Sequence, residues 1–157
     1  MGGETLFANM YLAYESLSPA LQAIVERLDA VRDVAKTPSF QRLDPAAREA
    51  SRKRTPPIAH PLVRAHPETG RKALYLSTFI THIDGMSEEE SRPLIDMLLA
   101  HATRYEFTYR HRWSLGDMVM WDNRCTMHLA VQDYDPAQLR HMDRSSTIGP
   151  VCGRIVA

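Results

Sequence analysis

The chain has 157 residues, of which 44% are hydrophobic and 24% are charged, and this size predicts one globular domain rather than several. Nineteen basic residues balance 19 acidic ones, so the net charge gives no reason to expect nucleic acid or an anionic membrane as a partner. Two cysteines are too few for a disulfide framework, and no apolar run reaches the roughly 18 residues of a membrane span. We therefore expect a cytoplasmic protein.

The first predicted helix spans residues 18–31. Ser18 is a suitable N-cap, and Pro19 fits the first helical position because proline lacks the amide hydrogen that is unpaired there. The apolar stripe of this helix consists of Leu21, Ile24, Val25 and Leu28. The next segment, 36–58, is polar and much longer than an ordinary connection, so we expect a mobile loop there.

A strand hairpin and a second helix follow. Residues 61–65 and 73–77 have strand-like composition and flank the turn-rich segment 66–71. The second helix is predicted to begin after Ser87, where Glu90 completes a capping box, and to end near Thr103. Its apolar stripe consists of Leu94, Met97, Leu98 and His101.

The C-terminal half is predicted to be antiparallel β structure. Strand-like runs occur at 107–113, 118–121, 126–130 and 143–148, with turn residues between consecutive runs. Short strands packed this densely favour a jelly roll or another small barrel, because closure limits the number of exposed strand edges.

His128 is the strongest candidate metal ligand among the seven histidines. It follows a Trp-Asp-Asn-Arg turn, and Arg140 and Arg144 come 12 and 16 residues later. Non-haem Fe(II) oxygenases hold iron with two histidines and one carboxylate, which leaves positions for a 2-oxo acid and O₂. A guanidinium matches the distal carboxylate of such an oxo acid better than an ammonium group does. The pattern therefore indicates iron and 2-oxo-acid chemistry.

An HxD pair at His82 and Asp84 offers a different iron site together with His128, 46 residues downstream. Such a pair is frequent by chance, and this one directly precedes the turn into the helix cap at Ser87. A contact within the loop is the plainer interpretation, so we expect His82 and Asp84 not to bind iron.

Several motifs in a fixed order resemble the taurine dioxygenase (TauD/TfdA-like) family. They are WDNRCTMH at 121–128, DYDP at 133–136, RHMDR at 140–144 and TIG at 147–149, preceded by GGET at 2–5, AYESL at 13–17, HPLVRAHPETG at 60–70 and WSLGD at 113–117. The family comprises Fe(II)- and 2-oxoglutarate-dependent enzymes, including enzymes that act on 2,4-dichlorophenoxyacetate and on alkyl sulfates. Since the motifs extend over nearly the whole chain, the resemblance covers almost all of it.

The resemblance implies a mainly β fold with flanking helices, a double-stranded β-helix of the clavaminate synthase-like jelly-roll type. It also implies that His128 binds iron and that Arg140 and the Thr5 hydroxyl hold 2-oxoglutarate. Trp121 matches a tryptophan at the wall of the site, but it is also the best apolar packing candidate in its turn, and we expect packing to be its main role. Arg144 matches an arginine that contacts an anionic substrate or the oxo acid in some members, and a surface salt bridge is its alternative.

The resemblance further implies that the domain is incomplete at its N-terminus. In the family the HxD motif lies upstream of the Gly-Gly-Asp/Glu-Thr segment, and this chain starts at that segment, residues 2–5. Two of the three iron ligands would then be missing from residues 1–157. We therefore expect a fragment of an enzyme or a truncated gene product.

The function expected on these grounds is an Fe(II)- and 2-oxoglutarate-dependent dioxygenase that hydroxylates a small anionic organic substrate and releases succinate and CO₂. One alternative is a non-catalytic module that binds an organic anion at Arg140 and Arg144. Another is an assembly subunit whose missing strands come from another chain. A homo-oligomer is compatible with the sequence, and nucleic acid and membrane partners are not expected.

Overall fold

The computed structural model describes residues 2–135, 137, 141–147, 149 and 152–156. The described part of the chain forms nine strands and five α-helices. The strands are β1 (Thr5–Asn9), β2 (Asp29–Arg32), β3 (Ile58–Pro61), β4 (Val63–Ala65), β5 (Lys72–Leu74), β6 (Ile80–Ile83), β7 (Thr108–His111), β8 (Thr126–Ala130) and β9 (Arg154–Ile155). The helices are α1 (Met10–Glu15), α2 (Pro19–Val25), α3 (Pro38–Gln41), α4 (Pro45–Arg54) and α5 (Glu88–Ala102).

β1 lies in the middle of a three-stranded antiparallel sheet, between β7 and β8. Phe7 stands opposite Tyr109 on one side and opposite His128 on the other. Because residues directly opposite each other in antiparallel strands share a face, these three side chains lie on the same side of the sheet. Thr5 lies on this side as well, since side chains alternate along a strand. We call the side that carries Thr5, Phe7, Tyr109 and His128 the site face.

The remaining strands form a four-stranded antiparallel sheet in the order β6-β2-β3-β9 and the hairpin β4-β5. Helix α1 packs against β5, and helix α5 packs against β6. The hydrophobic core lies between these helices and strands. Its largest fully buried apolar side chains are Val25, Leu62, Leu74, Ile83, Ile95 and Leu98.

Both predicted helix starts are confirmed, but the first helix is shorter than expected. The Ser18 hydroxyl accepts a hydrogen bond from the amide of Leu21 at 3.4 Å, with Pro19 at the first helical position. The helix ends at Val25, so the prediction of a helix to residue 31 is wrong. Residues 29–32 form β2 instead, because this segment pairs with both β3 and β6, and tertiary pairing outweighs a local helical pattern.

Helix α5 has the predicted ends and a different buried face. The Ser87 hydroxyl accepts from the Glu90 amide at 3.2 Å, and the Glu90 carboxylate accepts from the Ser87 amide at 2.8 Å, which forms the expected capping box. The buried residues are Ser91, Ile95, Leu98 and Ala102. The predicted stripe is therefore correct at Leu98 and partly correct at Leu94, which packs partly buried against the core, and wrong at the exposed Met97. A hydrogen bond explains why the buried face differs from the predicted one. The Ser91 hydroxyl accepts a hydrogen bond from the Ile83 amide at 2.9 Å, so this side of the helix faces β6.

The segment predicted as a long loop, 36–58, contains two helices. Thr37 caps α3 and Asp44 caps α4, and in both cases a proline occupies the first turn. No residue of α4 is buried, so packing against the core does not hold this helix. The expectation that the whole segment is a loop is therefore wrong, and the mobility of the segment stays a prediction.

The predicted C-terminal strands are recovered in part. β8 has the predicted bounds, β7 covers the middle of 107–113, and β4 and β5 confirm the hairpin. The described residues at 118–121 and 143–147 are not strands, so the prediction of strands there is wrong for these residues, and residue 148 lies outside the described residues. The chain is mostly β sheet with a few helices, and closure into a jelly roll stays a prediction.

An exposed apolar segment adjoins the site face. Met118 and Met120 keep 93% and 92% of their surface accessible, and Leu115 is fully exposed. Several large exposed apolar side chains within one short segment are typical of a site of association. Among the described residues, no helix combines the length and apolar character needed to cross a bilayer.

We expect the purified 157-residue chain to self-associate through this exposed apolar segment, 115–120. Replacing Met118 and Met120 together by lysine should shift the chain towards monomer, because charge opposes burial of the segment. Sedimentation velocity at several protein concentrations measures this. Ile24→Lys is the matched control, since Ile24 is an exposed apolar residue on α2. A wild-type chain that stays monomeric at all concentrations would contradict the prediction.

Candidate functional site

His128 and Trp121 meet on the site face beside Phe7. The ring centroids of Phe7 and Trp121 lie 5.2 Å apart, and those of Trp121 and His128 lie 4.9 Å apart. Phe7 and His128 are 6.4 Å apart across the β1–β8 pair. Trp121 therefore packs against the imidazole that the sequence identifies as the candidate iron ligand.

The environment of His128 favours its neutral form. Burial of part of the ring lowers the pKa of His128 below its usual value, and the positive charge of Arg144 lowers it further. The neutral imidazole is the form that binds metals. The role that the resemblance gives to Arg144 stays a prediction. Arg144 is otherwise exposed, and its Nε donates to the Ser146 hydroxyl at 3.3 Å.

Thr5 is the buried polar residue of the site face, with 5% of its surface accessible. It stands opposite Ala130, two residues beyond His128 on β8. Thr5 and His128 are therefore diagonal neighbours, a relation that places Cα atoms about 7–8 Å apart. The indole Nε1–H of Trp113 donates to the Thr5 hydroxyl oxygen at 3.0 Å. The structure thus places Thr5, Trp121 and His128 on one surface.

The glycine pair at the start of the chain allows β1 to begin at this position. A Cβ on Gly2 would come within 2.6 Å of the Asp133 carbonyl oxygen, and Gly2 has a positive φ of 131°. The Gly3 amide donates to the Asp133 carboxylate at 2.8 Å, and this hydrogen bond lowers the pKa of Asp133. The GGET and DYDP motifs are therefore adjacent in space, and Asp133 fixes the chain just before Thr5.

Three residues singled out in the sequence are not found on the site face. Arg140, the predicted partner of 2-oxoglutarate, lies outside the described residues. His82 is on β6 in the other sheet, where its Nδ1 lies 2.9 Å from the Thr81 hydroxyl. Asp84 pairs with Arg154. These contacts agree with a structural role for His82 and Asp84.

A charged network beside the turn that leads into β8 was not predicted from the sequence. The Asp122 carboxylate accepts from the Arg124 guanidinium at 2.5–2.9 Å and lies 3.0 Å from Nε2 of His66. Arg124 also donates to Glu68 at 2.9 Å. The hydrogen bond from Arg124 is the main cause that holds the pKa of Asp122 well below its usual range, and the one from His66 adds to it. We call these four residues the Asp122 network.

The Asp122 network links two motifs that are far apart in the sequence, HPETG and WDNR. His66 is 8% exposed, which makes it the most buried member. The only available signal was the presence of charged residues in both motifs, and nothing in the sequence shows that they pair. The network fixes the turn that carries Trp121 into β8, and the Met10 amide anchors the end of the same turn at the Cys125 carbonyl, at 3.0 Å.

Metal-binding atoms within the described part of the chain converge at one place, where donor atoms of His66, Asp122 and Cys125 lie within 4.8 Å of one another. Because the Asp122 carboxylate is already engaged by Arg124 and His66, we assign this group to the network. No described group of three such donors includes His128. An iron triad needs two histidines and a carboxylate, so His128 alone does not complete the iron site.

The model of the taurine catabolism dioxygenase TauD, TfdA family matches residues 1–146. The chain belongs to this family. The resemblance inferred from the motifs is thereby confirmed.

Named relatives in the family are 2-oxo-acid-dependent oxygenases. The chain is 42% identical, over 94% of its length, to an alpha-ketoglutarate-dependent 2,4-dichlorophenoxyacetate dioxygenase of Cupriavidus pinatubonensis, of which it covers 50%. It is 39% identical, over 96% of its length, to an alpha-ketoglutarate-dependent sulfate ester dioxygenase of Pseudomonas putida, of which it covers 52%. The chain thus spans about half the length of these curated relatives.

The fold is similar to a solved structure of AAD-2 in complex with Mn(II) and N-oxalylglycine. The TM-score is 0.79 with 39% sequence identity, over 89% of this chain and 55% of that one. The observed arrangement of strands and helices is therefore that of the corresponding half of a family member.

The pKa of Asp122 leads to a prediction about acid stability. Because this pKa is lower in the folded chain, the carboxylate stabilises the fold above its unfolded pKa of about 3.9, and the contribution is lost as the pH falls below that value. Asp122→Asn should lower the free energy of unfolding at pH 7, and the difference from wild type should shrink below about pH 4. Urea denaturation followed by circular dichroism measures both.

Asp96→Asn is the control for this measurement. Asp96 forms an exposed pair with Arg92 at 3.6 Å on α5, and such pairs contribute little to stability. A difference between wild type and Asp122→Asn that stays constant from pH 7 to pH 3 would show that the network does not act through the Asp122 charge.

Proposed function

We propose that this chain supplies the 2-oxoglutarate-binding half of the active site of an Fe(II)- and 2-oxoglutarate-dependent dioxygenase that acts on a small anionic organic molecule. The observation that carries the proposal is the grouping of Thr5, Trp121 and His128 on one face of the β7-β1-β8 sheet. Membership of the family and the activities named for its relatives support it.

The spacing of the site face suits a five-carbon oxo diacid. Two methylene groups separate the 2-oxo-acid end of 2-oxoglutarate from its second carboxylate. In our proposal the 2-oxo-acid end lies at the metal beside His128, and the second carboxylate lies at Thr5, the diagonal neighbour of His128. Arg140 supplies the guanidinium for that carboxylate, as charge-assisted bidentate pairs are the strongest available.

The anionic group of the substrate is assigned to Arg144. This residue is exposed, and its positive charge contributes to the lowered pKa of His128, so its guanidinium is the candidate partner for an anionic substrate. The relatives act, by their names, on a phenoxyacetate and on sulfate esters, both of which present an anionic oxygen group. Trp121 forms an apolar wall beside His128 and suits the organic part of such a substrate.

Iron needs more ligands than the described residues offer at His128. Oxidation of the substrate with release of succinate and CO₂ is proposed for a complete site in which two more ligands join His128. The second candidate function is an anion-binding module without iron, and the single ligand at His128 favours it.

Measuring turnover distinguishes the dioxygenase from the anion-binding module without iron. The part of the C. pinatubonensis relative that this chain does not match should be fused in front of residue 1, and succinate release measured with Fe(II), 2-oxoglutarate and 2,4-dichlorophenoxyacetate. We expect no turnover by the chain alone and turnover by the fusion protein. His128→Ala should abolish turnover in the fusion protein, because it removes a metal ligand.

His82→Ala is the matched control, since it removes an imidazole from the other sheet. It should leave turnover of the fusion protein unchanged. Loss of turnover in His82→Ala, with turnover retained in His128→Ala, would overturn the assignment of the iron ligand. Binding of 2-oxoglutarate by a fusion protein that shows no turnover would favour the non-catalytic module.

The proposed role of Arg140 predicts how its replacement changes the affinity for 2-oxoglutarate. Arg140→Lys keeps the positive charge and loses the bidentate fork, so its affinity for 2-oxoglutarate should fall about tenfold in isothermal titration calorimetry. Arg42→Lys is the control, because Arg42 lies in the connection between α3 and α4. Unchanged affinity in a folded Arg140→Ala variant would exclude this role for Arg140.

A further inference from the structure

The hydrogen bond between Trp113 and Thr5 has a defined direction. An indole N–H only donates, so the Thr5 oxygen is the acceptor at 3.0 Å. The hydroxyl of threonine has one hydrogen and two lone pairs, and this bond uses a lone pair. Within the described chain, the Thr5 hydroxyl hydrogen has no acceptor of its own, which leaves it available for an anion.

The position of Thr5 makes this direction significant. Thr5 is nearly fully buried on the middle strand of the three-stranded sheet, so its hydroxyl makes few hydrogen bonds with water. A threonine hydroxyl without a fixed partner can rotate among three staggered positions. The indole fixes the oxygen as an acceptor on one side, and the hydrogen must then point elsewhere.

Trp113 is itself held in place by the segment 111–117. The ring of His111 meets the ring of Trp113 edge to face, with 4.6 Å between centroids and 84° between planes. Nε2 of His111 lies 3.1 Å from the Asp117 carboxylate, which also accepts the Ser114 amide at 2.9 Å. The Asp117 amide donates to the Ser114 carbonyl at 3.1 Å. These contacts close the turn and present the indole to β1.

We propose that Trp113 is a positioning residue that directs the hydroxyl hydrogen of Thr5 to the second carboxylate of 2-oxoglutarate, with His111 and Asp117 holding the indole. This inference rests on the proposed function for the place of 2-oxoglutarate. It goes further, because it assigns a role to three residues that contact neither His128 nor Trp121. Trp113 acts on the co-substrate through Thr5 alone.

The hydrogen bond is tested first without any ligand. The chain has two tryptophans, so a ¹⁵N-labelled sample gives two indole N–H resonances, and Trp121→Phe identifies the one from Trp113. Thr5→Val removes the acceptor and keeps the shape, so the Trp113 resonance should move upfield. Thr5→Ser should leave it near its wild-type position. A Trp113 resonance that is the same in wild type and Thr5→Val would overturn the proposal.

The role in co-substrate binding is tested by a double-mutant cycle. Calorimetry should show that Trp113→Phe and Thr5→Val each weaken the binding of 2-oxoglutarate by the 157-residue chain about tenfold, the loss expected for one hydrogen bond to a charged group. The double variant should be no weaker than Thr5→Val, because Trp113 acts only through the hydroxyl. A merely structural tryptophan would give additive losses.

The outcomes distinguish this proposal from the proposed function. Additive losses of about a hundredfold, or unchanged affinity in Trp113→Phe, would overturn the role of Trp113 and leave the binding site intact. A wild-type chain that binds no 2-oxoglutarate would overturn the co-substrate site and the role of Trp113 with it. Circular dichroism of each variant checks the fold, and Thr5→Ser, which keeps the hydroxyl, should retain wild-type affinity.

Discussion

The register of β1 between β7 and β8 is the constraint on which the site depends. Phe7 stands opposite both Tyr109 and His128, and this pairing puts Thr5 diagonal to His128. A slip of one residue would move His128 to the opposite face of the sheet, because side chains alternate along a strand. The glycine pair beside Asp133 holds the start of β1 in the correct place. The first strand in the sequence therefore organises residues that follow it by more than a hundred positions.

Two sets of polar contacts support this register from different sides. The Asp122 network joins the loop after β4 to the turn before β8, because the Asp122 carboxylate contacts both Arg124 and His66. On the other side, His111 and Asp117 hold Trp113 against Thr5. In both cases a carboxylate contacts an imidazole, Asp122 with His66 and Asp117 with His111. Hydrogen bonds as well as packing therefore set the position of these imidazole rings.

The exposure of side chains near the site face is consistent with the length of this chain relative to its relatives. The core under α1 and α5 is well filled, whereas Tyr109 and the exposed apolar segment, 115–120, remain accessible. The family relatives are about twice as long as the part that this chain matches. One candidate metal ligand among the described residues, His128, and one exposed apolar segment are what half of a shared active site would show, and this is the physical basis for proposing a site completed by further residues.

The sequence by itself determined the features whose signals are local. The caps at Ser18 and Ser87, the β4–β5 hairpin and the bounds of β8 were predictable because adjacent residues carry them. The ordered motifs also identified the family. The predicted group of Thr5, Trp121 and His128 does share one face, while Arg140 lies outside the described residues.

Only the tertiary structure decided the features that depend on distant pairing. Residues 29–31 have a helical pattern and become part of β2 because two strands flank them. Helix α5 turns Ser91 towards the sheet because the Ile83 amide needs an acceptor there. The bonds from Trp113 to Thr5 and from Arg124 to Asp122 and Glu68 connect side chains whose meeting depends on the register of whole strands and loops. A local pattern specifies which groups a residue offers, and the fold specifies which partners they find.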